Sequence, residues 1–264
     1  LSDIFTPSSK LAFPKAFWYM TFPLTATKAV APGPEVEYSL LSKRTNSFSD
    51  MLRNELRHKK ISSCKVMIHT SASIESAVSM LSCSKLGIHF SVIFEDLAGE
   101  AISQRISLLK PDIFITKCKK KNFFKNISKK IINRRKVKFL FFKNLDYLQN
   151  RKKRIEIKNK EFKGNKELFT LFTSGSTGPP KGIVHSCAGY LVYTKYTCMH
   201  QFGMNINSII LTASDAGWMN GHTYALFGPL SFGATTVLIE SPMLLIDYNL
   251  LKKILKLKVT ILYL

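Results

Sequence analysis

Cysteine is sparse in this sequence. The 264 residues contain five cysteines, namely Cys64, Cys83, Cys118, Cys187 and Cys198. No two of them form a Cys-x-x-Cys pair, and no histidine lies at a spacing suited to zinc, so neither a zinc site nor a disulfide framework is indicated. We therefore expect a reducing compartment, with the cytoplasm as the predicted location and an organelle left open.

Long apolar runs are missing as well. Residues 11–33 are rich in apolar and aromatic side chains, but Lys15, Lys28 and several prolines interrupt them. A membrane-spanning helix needs about 20 consecutive, predominantly apolar residues. The sequence therefore predicts no membrane span.

Acidic residues are also few compared with basic ones. The chain has 17 Asp and Glu against 39 Lys and Arg, which gives a net charge of +22. Residues 117–166 hold 20 Lys and Arg and three acids, so these 50 residues supply +17 and the other 214 supply about +5. Because this segment is also rich in Asn, Ile and Phe, we interpret it as a solvated, compositionally biased insertion. Contact with RNA or with an anionic membrane is the alternative that such charge leaves open.

The most informative segment that is present reads Thr-Ser-Gly-Ser-Thr-Gly-Pro-Pro-Lys-Gly, from Thr173 to Gly182. Its candidate phosphate ligands are Thr173, Ser174, Gly175, Ser176, Thr177, Gly178 and Lys181. The glycines let backbone N–H groups approach anionic oxygens closely, the hydroxyls donate hydrogen bonds, and the lysine supplies charge. Apolar residues precede the loop, and a segment with helical features follows it from Ile183 to about Met199, so we expect the loop to join a strand to a helix. The predicted ligand is the polyphosphate of a nucleoside triphosphate.

The spacing differs from that of a Walker A loop, in which four residues separate the first Gly from Gly-Lys-Ser/Thr. Residue by residue, Ser174 to Gly182 instead resembles the signature loop of adenylate-forming enzymes, Ser/Thr-Gly-Ser/Thr-Thr-Gly-x-Pro-Lys-Gly. A flexible Gly/Ser linker is the alternative interpretation. A linker, however, has no need for Pro180, Lys181 and Gly182 in this fixed order.

Two downstream segments narrow the resemblance. The segment Asp-Ala-Gly-Trp-Met-Asn-Gly-His-Thr-Tyr, from Asp215 to Tyr224, is similar to Asp-x-Gly-Trp-x-x-Gly-His-Ser-Tyr of AMP-forming short-chain acyl-CoA synthetases of the acetyl- and propionyl-CoA synthetase type. Residues 228–236 are similar to the Gly-Pro-Leu-x-x-Gly-Ala-Thr segment of the same enzymes. The similarity covers about residues 60–116 and 167–264, and it is more specific in the second block.

The resemblance implies a two-step ligase reaction. A small carboxylate substrate attacks the α-phosphate of ATP, which Mg²⁺ accompanies, to give acyl-AMP and pyrophosphate, and the thiol of CoA then displaces AMP. ATP, Mg²⁺ and CoA are thus the expected cofactors. The Thr173–Lys181 loop is expected to hold the β- and γ-phosphates, where electrostatic stabilisation dominates catalysis.

The resemblance also implies a domain assignment. Residues 1–264 are expected to form part of the large N-terminal AMP-binding domain, with the basic insertion at about 117–166. The adenine-binding segment, the ribose-binding Asp and the small C-terminal domain with the catalytic lysine are expected beyond Leu264. We therefore expect no adenylation by this part alone.

A second set of residues falls where the family lines its acyl pocket and its pantetheine channel. These are Trp218, Met219, Asn220 and His222. The predicted activity is of the acetate–CoA ligase type, but the family has Val or Ile followed by Thr or Val in place of Met219 and Asn220. The acid therefore need not be acetate: Met219 changes the depth of the pocket, and Asn220 adds a donor that suits a hydroxylated or otherwise polar acid. A core position is the alternative for His222. In the family, basic residues just after the Thr116 position help to hold the 3′-phosphate of CoA, which makes Lys119, Lys120 and Lys121 candidates for that contact.

Two further functions stay open beside the ligase. One is a catalytically inactive, nucleotide-binding remnant of such an enzyme. The other is a basic nucleic-acid-binding protein, for which binding would fall steeply with salt. We rank the second last, because Phe123, Phe124 and the phenylalanines at 139–142 are grouped in apolar runs rather than between the charges.

Strands and helices alternate along the chain. Strands are predicted at 65–70, 90–94, 112–116, 137–142, 169–172, 208–213 and 235–240, and helices at 74–86 and 99–109. Strands separated by helices of this length favour right-handed crossovers and a parallel sheet. The predicted fold is α/β, with layered βαβ units and mainly parallel sheets, as in an incomplete large N-terminal domain of an adenylate-forming enzyme.

Overall fold

Two β-sheets form the frame of the protein. The computed structural model describes residues 28–30, 36–117, 127, 137–142, 162–173, 178–241, 245 and 247–264. The strands are β1 (Lys28–Val30), β2 (Val36–Glu37), β3 (Lys65–His69), β4 (His89–Ile93), β5 (Ile113–Thr116), β6 (Lys138–Phe141), β7 (Glu167–Thr173), β8 (Lys181–Ser186), β9 (Ile209–Thr212), β10 (Thr235–Val237) and β11 (Ile261–Tyr263).

Helices connect and cover these strands. They are α1 (Tyr38–Glu55), α2 (Ile74–Leu86), α3 (Gly99–Leu109), α4 (Cys187–Phe202), α5 (Met219–His222), α6 (Gly228–Phe232) and α7 (Tyr248–Lys256). A 3₁₀ turn spans Ile61–Ser63, and a π-helical turn, Thr223–Phe227, joins α5 to α6. Within the described part of the chain, no helix combines the length and the apolar character needed to cross a membrane.

The larger sheet has the strand order β6-β5-β3-β4-β7-β8, and the smaller sheet has the order β11-β9-β10-β1-β2. Neighbouring strands are parallel in both sheets except at β7–β8 and β1–β2. The predicted α/β fold with mainly parallel sheets is therefore confirmed. The predicted insertion at 117–166 contains β6, but most of it lies outside the described residues.

Alternating side chains bury both faces of the larger sheet. Val66 and Ile68 of β3 belong to one hydrophobic cluster with Leu81 of α2. Met67 belongs to another cluster with Ile106 of α3. Because successive side chains of a strand point to opposite faces, α2 and α3 cover opposite faces. The chain therefore continues from β3 onto one face of the sheet and from the neighbouring β4 onto the other face. The position between two such strands is a topological switch point, and open α/β sheets bind ligands there.

Helix α2 begins and ends where the sequence predicts. Ser73 and Ser76 form a capping box, in which each backbone N–H donates to the other residue's hydroxyl oxygen. Gly87 follows the helix with a φ of 68°, a left-handed conformation that suits glycine. Every residue from Ser76 to Leu86 is buried, so α2 is part of the core on all sides.

One core connects the two sheets. The π-helical turn and α6 add Ala225, Leu226, Phe227 and Leu230 to the cluster that contains the side chains of β3, β4 and α2. On the other side, Thr236 of β10 donates a hydrogen bond to the carbonyl oxygen of Ala225 at 2.8 Å. The helical segment 219–232 therefore contacts both sheets.

The segment after the predicted phosphate loop differs from expectation. We predicted a helix from Ile183, whereas Lys181–Ser186 form β8, antiparallel to β7, and α4 begins only at Cys187. The β-branched Ile183 and Val184 favour a strand, and they are 50% and 51% exposed on it. The loop therefore joins two strands of a hairpin.

Candidate active site

The β7–β8 hairpin carries the predicted phosphate loop. Thr173 and Lys181 are direct partners in the antiparallel pair, and the Thr173 hydroxyl donates a hydrogen bond to the Lys181 carbonyl oxygen at 3.4 Å. The two ends of the loop are thus held together at its base. Because β7 is parallel to β4, the loop lies at the carboxyl edge of the larger sheet.

The hairpin is open around its described residues. Ser174, Gly175, Ser176 and Thr177 lie outside the described part of the chain. Gly178 is exposed, and a Cβ built on it would meet nothing within 4 Å. The Lys181 side chain is exposed and makes no ion pair within the described residues. Phosphate binding by these residues stays a prediction, and the described geometry leaves room for it.

A cavity of about 800 Å³ lies at the carboxyl ends of strands from both sheets. The larger sheet contributes Ser71 after β3 and Phe94, Glu95 and Asp96 after β4. The smaller sheet contributes Ser214 and Asp215 after β9 and Glu240 beyond β10, and Trp218 and Asn220 complete this part of the wall. The cavity therefore adjoins the β3–β4 switch point, the position at which the topology predicts a ligand.

The loop from Asp215 to Asn220 shapes one wall. The Asp215 carboxylate accepts a hydrogen bond from the Gly217 N–H at 2.7 Å, which fixes the turn before Trp218. The Trp218 ring is 54% exposed and packs against the Phe94 ring, with 5.4 Å between the ring centroids. Burial raises the pKa of Asp215 to about 6; the Gly217 N–H opposes that rise, and the nearby acids add to it.

Of the predicted pocket residues, Trp218 and Asn220 line the cavity, whereas Met219 packs against the main core cluster. His222 is fully buried, and its ring packs on Phe90 and Phe169 at centroid distances of 6.1 and 4.7 Å. Burial lowers the pKa of His222 to about 3, so the ring is neutral. The structure therefore places His222 in the core behind the cavity.

The predicted CoA contacts Lys119, Lys120 and Lys121 lie outside the described residues. Lys117, just before them, is described and joins the two sheets at the cavity rim. Its ammonium group lies 2.8 Å from a carboxylate oxygen of Glu240 and 3.4 Å from one of Glu75. These acids raise the pKa of Lys117 despite the opposing effect of burial, so the link is charged.

Sequence reasoning missed several residues of the cavity wall, among them Ser71, Glu95, Asp96 and Glu240. They belong to no contiguous motif. Their position after strands was the signal that could have found them. Ser71 and Glu95 directly follow predicted parallel strands, whose carboxyl ends meet at one edge, and Asp96 is the next residue. For metal binding, no group of three or more His, Cys, Asp or Glu suited to hold an ion occurs within the described ranges.

The sequence pattern of the family described as AMP-binding enzyme matches residues 21–264. The chain belongs to this family. It is 31% identical over 236 residues to an acetyl-coenzyme A synthetase of Helicobacter pylori (strain G27), with 81% of this chain and 35% of that protein covered. It is 32% identical over 252 residues to acetyl-coenzyme A synthetase 1 of Pseudomonas aeruginosa, with 87% and 38% covered.

The resemblance read from the phosphate loop and the Trp218 segment is thereby confirmed. The chain spans about a third of the length of the curated relatives that it matches.

Solved structures share the fold of this chain. Apo MatB from Rhodopseudomonas palustris superposes with a TM-score of 0.78 at 16% identity, over 95% of this chain and 48% of that one. The complex of VinN with L-aspartate superposes with a TM-score of 0.77 at 13% identity, over 95% and 66%. At such identities these likenesses bear on the fold alone.

Proposed function

We propose that this chain supplies the phosphate-binding and acyl-side part of an AMP-forming short-chain acyl-CoA synthetase. The observation that carries the proposal is the common location of the Thr173–Lys181 hairpin and the cavity at the carboxyl edge of the larger sheet. A nucleotide held by its terminal phosphates at the hairpin would direct its α-phosphate toward an acid in the cavity. Family membership and the acetyl-coenzyme A synthetase relatives support the same reaction.

The proposed first step joins the acid to AMP. A carboxylate oxygen of the acid attacks the α-phosphorus, and the bond from that phosphorus to the pyrophosphate oxygen breaks. Negative charge accumulates on the departing pyrophosphate, so fixed donors and a cation at the β- and γ-phosphates lower the barrier. Lys181 suits this role because its exposed ammonium group has no ion-pair partner within the described residues.

The proposed second step transfers the acyl group to the thiol of CoA, with AMP as the leaving group. Trp218 and Asn220 are the proposed contacts for the acyl group and the pantetheine arm, since both line the cavity. Lys119, Lys120 and Lys121 are proposed to contact the 3′-phosphate of CoA. Mg²⁺ is proposed to arrive with ATP, because the described residues contain no ligand cluster for it.

Acid-dependent exchange between ATP and pyrophosphate tests the first step. We would measure it on the complete protein that contains this chain, with acetate, propionate and 3-hydroxypropionate. We expect exchange with at least one acid and a loss of about 100-fold in Lys181→Ala, the usual scale for removing one group that stabilises transition-state charge. Lys43→Ala, on an exposed position of α1, is the matched control and should exchange normally.

The outcomes separate the alternatives. Exchange that depends on one acid would establish the ligase and identify its substrate. No exchange with any acid, together with retained ATP binding, would favour the inactive nucleotide-binding remnant.

A further inference from the structure

The cavity concentrates negative charge within a strongly basic chain. Glu95, Asp96, Asp215 and Glu240 all line it, and among the lining residues that the structure describes none is Lys or Arg. The neighbouring cation is Lys117, which is shared between Glu240 and Glu75. The chain as a whole carries a net charge of +22, so the acidity of this wall runs against the overall charge.

Lys117 also attracts Glu95, so its single positive charge is shared among Glu75, Glu95 and Glu240. Glu95 accepts a hydrogen bond from the Ser71 N–H at 3.1 Å, and Asp215 accepts one from the Gly217 N–H at 2.7 Å. These neutral donors position the carboxylates without cancelling their charge. Asp96 makes no hydrogen bond or ion pair with the described residues, so it is available to a ligand.

The aromatic part of the wall gives a second, independent indication. Trp218 lines the same cavity, and its ring is 54% exposed. The face of an indole ring attracts a cation through its quadrupole, more strongly than the face of Tyr or Phe does. A cleft of about 800 Å³, open to solvent and with this ring on its wall, is large enough for a small organic ligand.

We propose that the acid accepted by this cavity also carries a protonated amine, as in 3-aminopropionate and similar ω-amino acids. Its ammonium group would lie beside Asp96 and Glu95 and against the ring of Trp218, and its carboxylate would point away from these acids, toward the α-phosphate. This assignment rests on the proposed function, because it names the substrate class of the same site. The amine keeps its proton and takes no part in bond making, so the adenylation step is unchanged.

A pair of acids of equal size tests the assignment. 3-Aminopropionate and butanoate differ in one terminal group, ammonium against methyl, and ATP–pyrophosphate exchange by the complete protein compares them directly. We expect kcat/KM to be at least tenfold higher for 3-aminopropionate. Asp96→Asn should lower this preference about fivefold, mainly through KM, whereas Glu100→Gln, an exposed acid of α3 outside the cavity wall, should leave it unchanged.

A binding measurement without ATP separates the two proposals. Tryptophan fluorescence of the complete protein reports on the cavity, and the part of the signal that Trp218→Phe removes is assigned to Trp218. We expect propylammonium to change its fluorescence saturably and propionate to have no such effect. Exchange at equal rates with both acids overturns the charge assignment and leaves the ligase standing. If no acid supports exchange, the proposed ligase activity is wrong. If Trp218 then also responds equally to propylammonium and propionate, the proposed preference for an ammonium group is wrong as well.

Discussion

The β7–β8 hairpin, which carries the predicted phosphate loop, and the cavity lie at the same edge of the larger sheet, yet their residues come together in different ways. The residues of the predicted phosphate loop are contiguous in sequence, and its described members Gly178 and Lys181 are exposed. The cavity wall draws residues from distant parts of the chain, and it is backed by buried side chains such as His222 and Phe90. A motif of the first kind can be read from sequence, whereas a site of the second kind exists only once the sheets are assembled.

Two glycine substitutions give the largest expected contrast. A Cβ on Gly221 would overlap the Asp215 carbonyl oxygen, which is backbone and cannot move aside cheaply. We therefore expect Gly221→Ala to lower the free energy of unfolding by about 3 kcal/mol. Gly178→Ala should change it by less than about 0.5 kcal/mol and should reduce only nucleotide-dependent exchange. Denaturant unfolding of both variants checks this, and equal stability of the two would remove the distinction between a packed wall and an open loop.

Acid should destabilise the core around His222. Burial holds the pKa of His222 at about 3 in the folded protein, below its ordinary value of about 6.5, so the unfolded chain takes up the proton first. Stability is therefore lost as the pH falls below about 6.5. We expect the wild-type chain to lose about 2.5 kcal/mol more than His222→Phe between pH 7 and pH 4.5.

Other groups that titrate over this range are common to both proteins and cancel in that comparison. The exposed His58 provides the control, because His58→Phe should follow the pH dependence of the wild-type chain. If the free energy of unfolding had the same pH dependence in wild type and in His222→Phe, His222 would not be a neutral, buried residue.

A smaller effect of opposite sign is expected at Asp215. Burial raises its folded pKa to about 6, so its ionisation above pH 4 disfavours the folded state. Asparagine keeps an oxygen acceptor for the Gly217 N–H and has no charge. We expect Asp215→Asn to be more stable than wild type by about 1–2 kcal/mol at pH 7, and the gain should vanish toward pH 4. A gain independent of pH would point to packing instead.

The Lys117–Glu240 ion pair at the cavity rim should contribute little to stability. Lys117 and Glu240 are partly exposed, so solvent screens their attraction. We expect Lys117→Met to cost about 0.5–1 kcal/mol in stability, with a smaller loss at high salt. Thermal unfolding at two salt concentrations measures this, and a loss of several kcal/mol would mean that the rim is as tightly built as the wall.

Local signals explain which elements were predictable. The capping serines and Gly87 mark the ends of α2. The bounds of α2 and α3 match the prediction because the residues that indicate each helix lie within it or at its ends. Helix α1 received no assignment, since its buried face includes the polar Thr45, Ser47 and Ser49, which hide the apolar period. The start of the helix was placed too early, in β8, because only His185 and Ser186 separate the apolar residues of β8 from those of α4. The cavity joins residues as far apart as Ser71 and Glu240, and no local pattern links them.

The position of β8 has a consequence for handling the protein. Among the described strands it lies at the edge of the larger sheet, and its exposed Ile183 and Val184 stand beside backbone groups that can pair with another chain. Such edges promote association between molecules unless charge keeps them apart. The net charge of +22 supplies that repulsion at low ionic strength. Concentrated salt would screen it, so self-association of this chain should increase under the conditions commonly used to precipitate or crystallise proteins.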